Sequence, residues 1–158
     1  MTNQSNVSSS SPDTRVSWSG RKIPLSRSRH VCGRVPWQPP SQAVDVESDL
    51  EARATAMLTR IPGLLALHSQ PFTLTYSDAG VRRRYTPDLL AVFGRQPPWL
   101  VQLGFGRWTV IEVKPESKLD QVADDLARHH RAIREQLGFA TVILTERHIP
   151  GREVRHES

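Results

Sequence analysis

The run from residue 108 to residue 144 constrains this chain more than any other. Residues 108–113 (WTVIEV) read as a strand, 119–137 as an amphipathic helix, and 139–144 (FATVIL) as a short buried strand. Within the helix, Leu119, Val122, Ala123, Leu126, Ile133 and Leu137 make one apolar stripe, and Gly138 caps it. A strand that returns after a crossover helix lies parallel to its neighbour. The chain is therefore expected to be α/β: a mixed β-sheet flanked by α-helices, with an extended N-terminal arm.

Upstream, Ser48 and Glu51 have the spacing of a capping box. Leu50, Ala54, Met57, Leu58 and Ile61 then recur at helical spacing until Pro62-Gly63 stops the helix. Residues 71–76 (PFTLTY) alternate like a strand, with Phe72, Leu74 and Tyr76 on one face. Asp78-Ala79-Gly80 reads as a turn, and residues 82–93 as one further strand with Pro87 at an irregular point. Residues 99–103 (WLVQL) are expected to form a strand too, joined to 108–113 by a hairpin through Gly104 and Gly106.

The first 43 residues differ in kind. Residues 1–12 are polar and serine-rich and are expected to be disordered. Pro24, Pro36, Pro39 and Pro40 break any periodicity in 13–43, which reads as an extended arm with Trp18 and Trp37 as anchors. Arg15, Arg21, Lys22, Arg27, Arg29 and Arg34 crowd this arm, with Asp13 the only acid before Asp45. Such an arm tracks a DNA backbone or packs across the domain surface. The division is then an arm (1–43), a folded domain (44–149) and a charged tail (150–158). A net charge of +5 suits a polyanionic partner. The single cysteine, Cys32, excludes an intrachain disulfide and a multi-cysteine zinc site, and fits a reducing cytoplasm. No signal peptide and no bilayer-spanning apolar stretch is evident, so no membrane partner is expected.

Period-2 alternation sends Glu112 and Lys114 to one face of their strand, and Ile111 and Val113 to the other. The apolar face is expected to pack on the 119–137 helix. Asp88, in Thr86-Pro87-Asp88, lies far enough upstream to sit on a neighbouring strand with its carboxylate near Glu112. Two close carboxylates repel, and a divalent cation relieves that repulsion. Mg²⁺, with Mn²⁺ as substitute, prefers oxygen ligands and keeps water and phosphate oxygens in its shell. It polarises a phosphate and activates a water, which Lys114 orients or helps to deprotonate, or else Lys114 stabilises the phosphorane charge. Glu51, with Glu47 one turn earlier on the same side, is expected as a further ligand rather than only a cap. Gln70, before Pro71, positions phosphate or metal-bound water, or is a turn residue.

Arg82, Arg83 and Arg84 lead into the Asp88 strand, with Arg82 and Arg84 on one side and Arg83 on the other. At least one side is expected to face DNA phosphates, together with Arg21, Lys22, Arg27 and Arg29 from the arm. His129 and His130 have no partners at ligand spacing and read as surface or core-rim residues. Cys32 with His30 is a weak pair.

Taken in order, Ser48-Asp49-Leu50-Glu51, Gln70-Pro71, Tyr85-Thr86-Pro87-Asp88-Leu89-Leu90, Ile111-Glu112-Val113-Lys114-Pro115, Gly138 and Val142-Ile143-Leu144-Thr145-Glu146 resemble the TnsA family of the PD-(D/E)xK nucleases. These are endonuclease subunits of heteromeric transposases, and the resemblance covers about residues 44–149. It implies a restriction-endonuclease-like fold and a Mg²⁺-dependent endonuclease that cuts the 5′ strand at transposon ends. A separate DDE transposase of TnsB type cuts and joins the 3′ ends. Glu51, Asp88 and Lys114 match the family's helix Glu, its PD Asp and its strand Lys. Glu112 stands where the family has Gln or Glu. The best-known members add a C-terminal helical domain that contacts an ATPase regulator of TnsC type. This sequence has only its charged tail there, so it is a short member or contacts the regulator otherwise.

The same residues would also serve a stand-alone nuclease of this fold in repair, restriction or phage biology. A non-cleaving DNA-binding or assembly protein is a third reading, against which the complete Asp88, Glu112 and Lys114 set argues.

Overall fold

In a computed structural model of the chain, the described residues are 13–18, 21–23 and 46–151. The expectations for residues 1–12, for Arg27, Arg29, His30, Cys32, Arg34 and Trp37, and for the tail from residue 152 onward lie outside them. So do the side chains of Arg21 and Lys22. The elements in order are β1 (Arg15–Trp18), β2 (Arg21–Ile23), α1 (Val46–Thr59), β3 (Leu64–Ser69), β4 (Phe72–Asp78), β5 (Val81–Tyr85), β6 (Leu89–Phe93), α2 (Pro98–Gln102), β7 (Trp108–Val113), α3 (Glu116–Leu137) and β8 (Ala140–Leu144).

Two sheets result. One has the order β2-β3-β6-β7-β8 and the other β1-β4-β5. The crossover behaves as the sequence predicts: β7 and β8 are parallel, with Ile111 opposite Val142, and every other pairing among the described residues is antiparallel. Gly138 ends α3 in a left-handed conformation (φ 69°), its N–H bonded to the Arg134 carbonyl. At the other end of α3, Glu146 Oε2 accepts the free Glu116 N–H at 2.9 Å.

The larger sheet has a different apolar layer on each face, and alternation along its strands explains both. Leu89, Ala91, Phe93, Ile111 and Val113 meet Leu50, Ala54 and Leu58 of α1. Leu90 and Val110 point the other way, to Leu126 and Ile133 of α3 and to Phe72, Leu74 and Tyr85 of the smaller sheet. The expected partner of Ile111 and Val113 was α3, and this is corrected to α1. Residues 110 and 112 share the opposite face, so Glu112 turns toward α3 and the small sheet.

Several element expectations also change. α1 begins at Val46, not after Ser48, with Glu47 and Asp49 in its first turn complementing the helix dipole. Ser48 is thus helical, and the capping box is absent. No element was expected at 64–69, where an unalternating apolar run forms β3 beside β6. The expected single strand 82–93 breaks at Thr86-Pro87. Tyr85 pairs with Leu74 in the small sheet, whereas Leu89 pairs with Ser69 and Ile111 in the large one. Proline lacks the N–H a ladder needs, so the chain changes sheets there. Residues 99–103 are not a strand. Pro98 opens the short helix α2, only Leu100 in it is buried, and Gly104 (φ 94°) turns the chain out. The hairpin through Gly104 and Gly106 is therefore absent, and β7 takes β6 as its antiparallel neighbour. Residues 15–18 and 21–23 are strands that add to the two sheets, so this part of the arm packs on the domain. Trp18 anchors β1 through edge contacts with Phe72 and Phe139 at 5.0 and 6.4 Å. No helix among the described residues is long and apolar enough to cross a membrane.

Candidate active site

Three element ends meet at the carboxyl end of β7. The first turn of α3 follows β7 directly, and the first turn of α1 lies against both. Glu47 Oε1 of α1 is 3.0 Å from Lys118 Nζ of α3 and 4.0 Å from Lys114 Nζ. Lys114 continues the β7 ladder, donating its N–H to the Leu144 carbonyl at 3.0 Å. Its ammonium is 3.3 Å from Glu112 Oε1, so the two side chains expected on one face do meet.

Asp88 arrives from the sheet-switching segment. Its Oδ2 accepts the Val113 N–H at 2.8 Å, which fixes the carboxyl against the end of β7. The Asp88 carbonyl accepts the Gln70 N–H, also at 2.8 Å. Gln70 is the turn residue between β3 and β4, held at φ 44° with its side chain exposed. It thus stands next to Asp88 through its backbone.

Glu112 is the most enclosed acid of the group, with a relative exposure of 5%. Its Oε2 accepts the Tyr85 hydroxyl at 2.5 Å. Behind Tyr85 stand two histidines of α3. His130 Nε2 is 3.4 Å from the Tyr85 oxygen, and His129 stacks on the Tyr85 ring at 4.5 Å while its Nδ1 meets the Tyr76 hydroxyl at 2.7 Å. Tyr85 has one proton and gives it to Glu112, so His130 can only meet that oxygen with Nε2–H. Burial pushes His130 down to about 4, helped by Arg134 and His129, so it is neutral at pH 7. Both histidines are expected at the surface or the core rim, yet His130 is buried, and the sequence does not point to Tyr85 as part of the site. Its one available signal was the alternation that turns Tyr85 inward with Leu74 and Tyr76.

The electrostatics are those of crowded anions. Burial and then Asp88 raise Glu112 to about 7, against the opposing bonds from Tyr85 and Lys114. Burial raises Asp88 above the ordinary carboxylate range, although the Val113 N–H and Lys114 oppose it. Glu51, half-buried on α1, is raised by burial and next by Asp88. Its charge therefore bears on the same site. Burial works against the Lys114 ammonium, but Glu112, Asp88 and Glu47 outweigh it and raise its pKa. Lys114 is a firm cation.

The donor set suits a hard divalent cation, because buried carboxylates that resist ionising together gain most from one. Among the described residues, however, no group of three or more Asp, Glu, His or Cys side chains stands in a ready-made metal-holding arrangement. Asp88 acts electrostatically on both Glu112 and Glu51.

The arginine triplet divides as alternation predicts. Arg82 and Arg84 are exposed. The Arg83 guanidinium lies 3.5 Å from Asp78 of β4 and 3.8 Å from Asp125 of α3. Among the described residues, Arg83 is thus the one of the three whose charge meets acidic partners within the protein. No protein-family model matches the chain, and no curated protein matches its sequence.

Proposed function

We propose that this protein is a divalent-metal-dependent DNA endonuclease of restriction-endonuclease-like fold, acting as a TnsA-type subunit of a transposase. It would cut the 5′ strand at transposon ends beside a DDE transposase, and an ATPase regulator is a further partner. The observation that carries this is the meeting of Asp88, Glu112 and Lys114 at the end of β7, with Asp88 on the Val113 N–H and Lys114 on Glu112. The transposase assignment rests on the motif resemblance alone.

Asp88 and Glu112 would hold Mg²⁺ or Mn²⁺, with Glu51 as a third oxygen donor. When bound, the ion supplies positive charge at the scissile phosphate and a more acidic water. Lys114 acts as an ammonium. Its raised pKa disfavours it as a base and favours it as a donor to the developing phosphorane charge. Tyr85 positions Glu112, and the Val113 N–H positions Asp88. Gln70, whose N–H bonds the Asp88 carbonyl and whose side chain is exposed, would position phosphate or metal-bound water.

A non-cleaving DNA-binding protein is the second reading. It is favoured by one observation: Tyr85 and Lys114 already engage both oxygens of Glu112. The test is nicking of transposon-end DNA with Mg²⁺ or Mn²⁺ and the partner transposase. Asp88→Ala and Lys114→Ala should each abolish it while the fold is kept. Wild-type rates in both variants would remove the site, and no nicking by the wild type would favour the second reading.

A further inference from the structure

We propose that the outer face of the β1-β4-β5 sheet binds the phosphate backbone of duplex DNA and leads it to Asp88. The proposal rests on the nuclease reading only for its destination. The face itself follows from the register. Arg15 of β1 and Arg84 of β5 both stand opposite Thr75 of β4, and Arg82 stands opposite Ser77. Thr73 lies on the same side and shares a 2.7 Å hydroxyl contact with Thr86. On the opposite face, Phe72, Leu74, Tyr76 and Tyr85 pack with Leu126 and Ile133 of α3.

No acidic residue occupies these outer positions. Asp13 precedes β1 in an exposed turn. Asp78 lies on the inner row, within 3.5 Å of Arg83 and 3.7 Å of Arg128. Arg15, Arg82 and Arg84 are exposed, and no ion pair engages them among the described residues. An open cleft of about 820 Å³ lies over them, and Arg83 also contributes to its lining. Three like charges on one small sheet repel unless a polyanion faces them.

The chemistry of the face selects phosphate. Guanidinium forks bind phosphate oxygens in pairs, and Ser and Thr hydroxyls are common backbone-phosphate donors. The outer row of β5 runs Arg82, Arg84; Thr86 follows just past its end, and Asp88 two residues further on. At about 3.3 Å per residue, Arg84 and Asp88 are at most roughly 13 Å apart along the chain. One DNA strand held by the arginines can therefore reach the carboxylates. A simpler role, charge that guards the two sheet edges against strand pairing, predicts aggregation on removal rather than loss of binding.

The test uses the full chain, a labelled duplex and EDTA, so that cleavage cannot intervene. Fluorescence anisotropy is read from about 50 to about 200 mM salt. The R15A/R82A/R84A triple variant should bind roughly 10-fold or more weakly, and its salt slope should flatten by about 2 to 3. Arg83→Ala should keep its affinity within about twofold while melting lower, because Arg83 faces Asp78 and Asp125. Wild-type affinity and slope in the triple variant would overturn the proposal, as would soluble wild-type binding lost equally in Arg83→Ala. Preference for phosphatidylserine vesicles over DNA, or aggregation with DNA affinity intact, would overturn it too. Loss of binding in the triple variant, with no nicking by the wild type, would sink the nuclease reading and leave this one standing. Normal nicking with the triple variant binding as wild type would do the reverse.

Discussion

Tyr85 donates its hydroxyl proton to Glu112 at 2.5 Å, and Lys114 holds the other oxygen of the same carboxylate at 3.3 Å. A buried acid is thus fixed from both sides, by a neutral donor from the small sheet and a cation from its own strand. Tyr85→Phe should remove the first without opening space. A hydrogen bond to a charged group contributes about 1.5–3 kcal/mol, so the loss should approach that at pH 9, where Glu112 is ionised. At pH 5 the carboxyl is protonated and the loss should be smaller. Urea unfolding at both pH values measures the difference. Equal losses at the two would mean that Tyr85 packs there without holding a carboxylate.

Glu112→Gln should reverse a penalty. The folded value of about 7 lies above the ordinary 4.5, so the folded protein holds this proton more tightly than the unfolded chain. The stability so contributed is complete below about pH 4.5 and is lost as pH rises through about 7. Glutamine does not ionise. The variant should therefore be more stable than wild type at pH 9, by on the order of 1–3 kcal/mol, and no more stable at pH 4. A variant less stable than wild type at pH 9 would mean that the Lys114 pair outweighs burial.

How far these residues were legible in sequence depends on which level of structure placed them. The Glu112–Lys114 pair is a consequence of period-2 geometry within one strand, and local alternation was enough. The parallel β7-α3-β8 unit follows from chain handedness and connection length. Asp88 is expected on a strand beside β7, and it stands one residue before β6, which is that neighbour, although the expected strand 82–93 is broken in two. The chain changes sheets at Pro87, and this switch lets the Asp88 carboxyl reach the Val113 N–H. Tyr85 and His130 were illegible because their meeting is tertiary: β5 belongs to one sheet and Glu112 to another. The 99–103 segment misled for the opposite reason. Its bulky apolar residues suit a strand, yet Pro98 favours a helix start, and Trp99, Val101 and Leu103 remain about half exposed.

A divalent cation should stabilise the protein most where the acids are charged. Glu112 is raised to about 7, and Asp88 and Glu51 are raised as well, so Mg²⁺ competes with protons for them. At about 100 times Kd the stabilisation would be about 2.7 kcal/mol. The melting temperature should rise with Mg²⁺ at pH 8 and scarcely move at pH 5, and Asp88→Asn should lose most of the rise. The same rise in Asp88→Asn would place the ion elsewhere on the molecule.

Trp18→Ala tests whether β1 is held as part of the domain. Its indole is 57% exposed yet stands edge-on to Phe72 at 5.0 Å and to Phe139 at 6.4 Å. Phe139 in turn stacks on Trp108 at 5.4 Å, which ties β1 and β4 of the small sheet to β7 and the start of β8 in the large one. Removing a fully buried Trp costs about 3–5 kcal/mol, so a half-exposed one should cost about 1–2 kcal/mol. Amide exchange should show more than the loss itself. Val16 and Ser17 should lose protection together with their β4 partners Leu74 and Thr73, while β7 and β8 stay protected. Because β1 carries Arg15, DNA affinity should fall with that protection. Unchanged exchange in β1 would mean that its ladder to β4 suffices without the tryptophan. The arginine face would then be anchored by backbone hydrogen bonds alone.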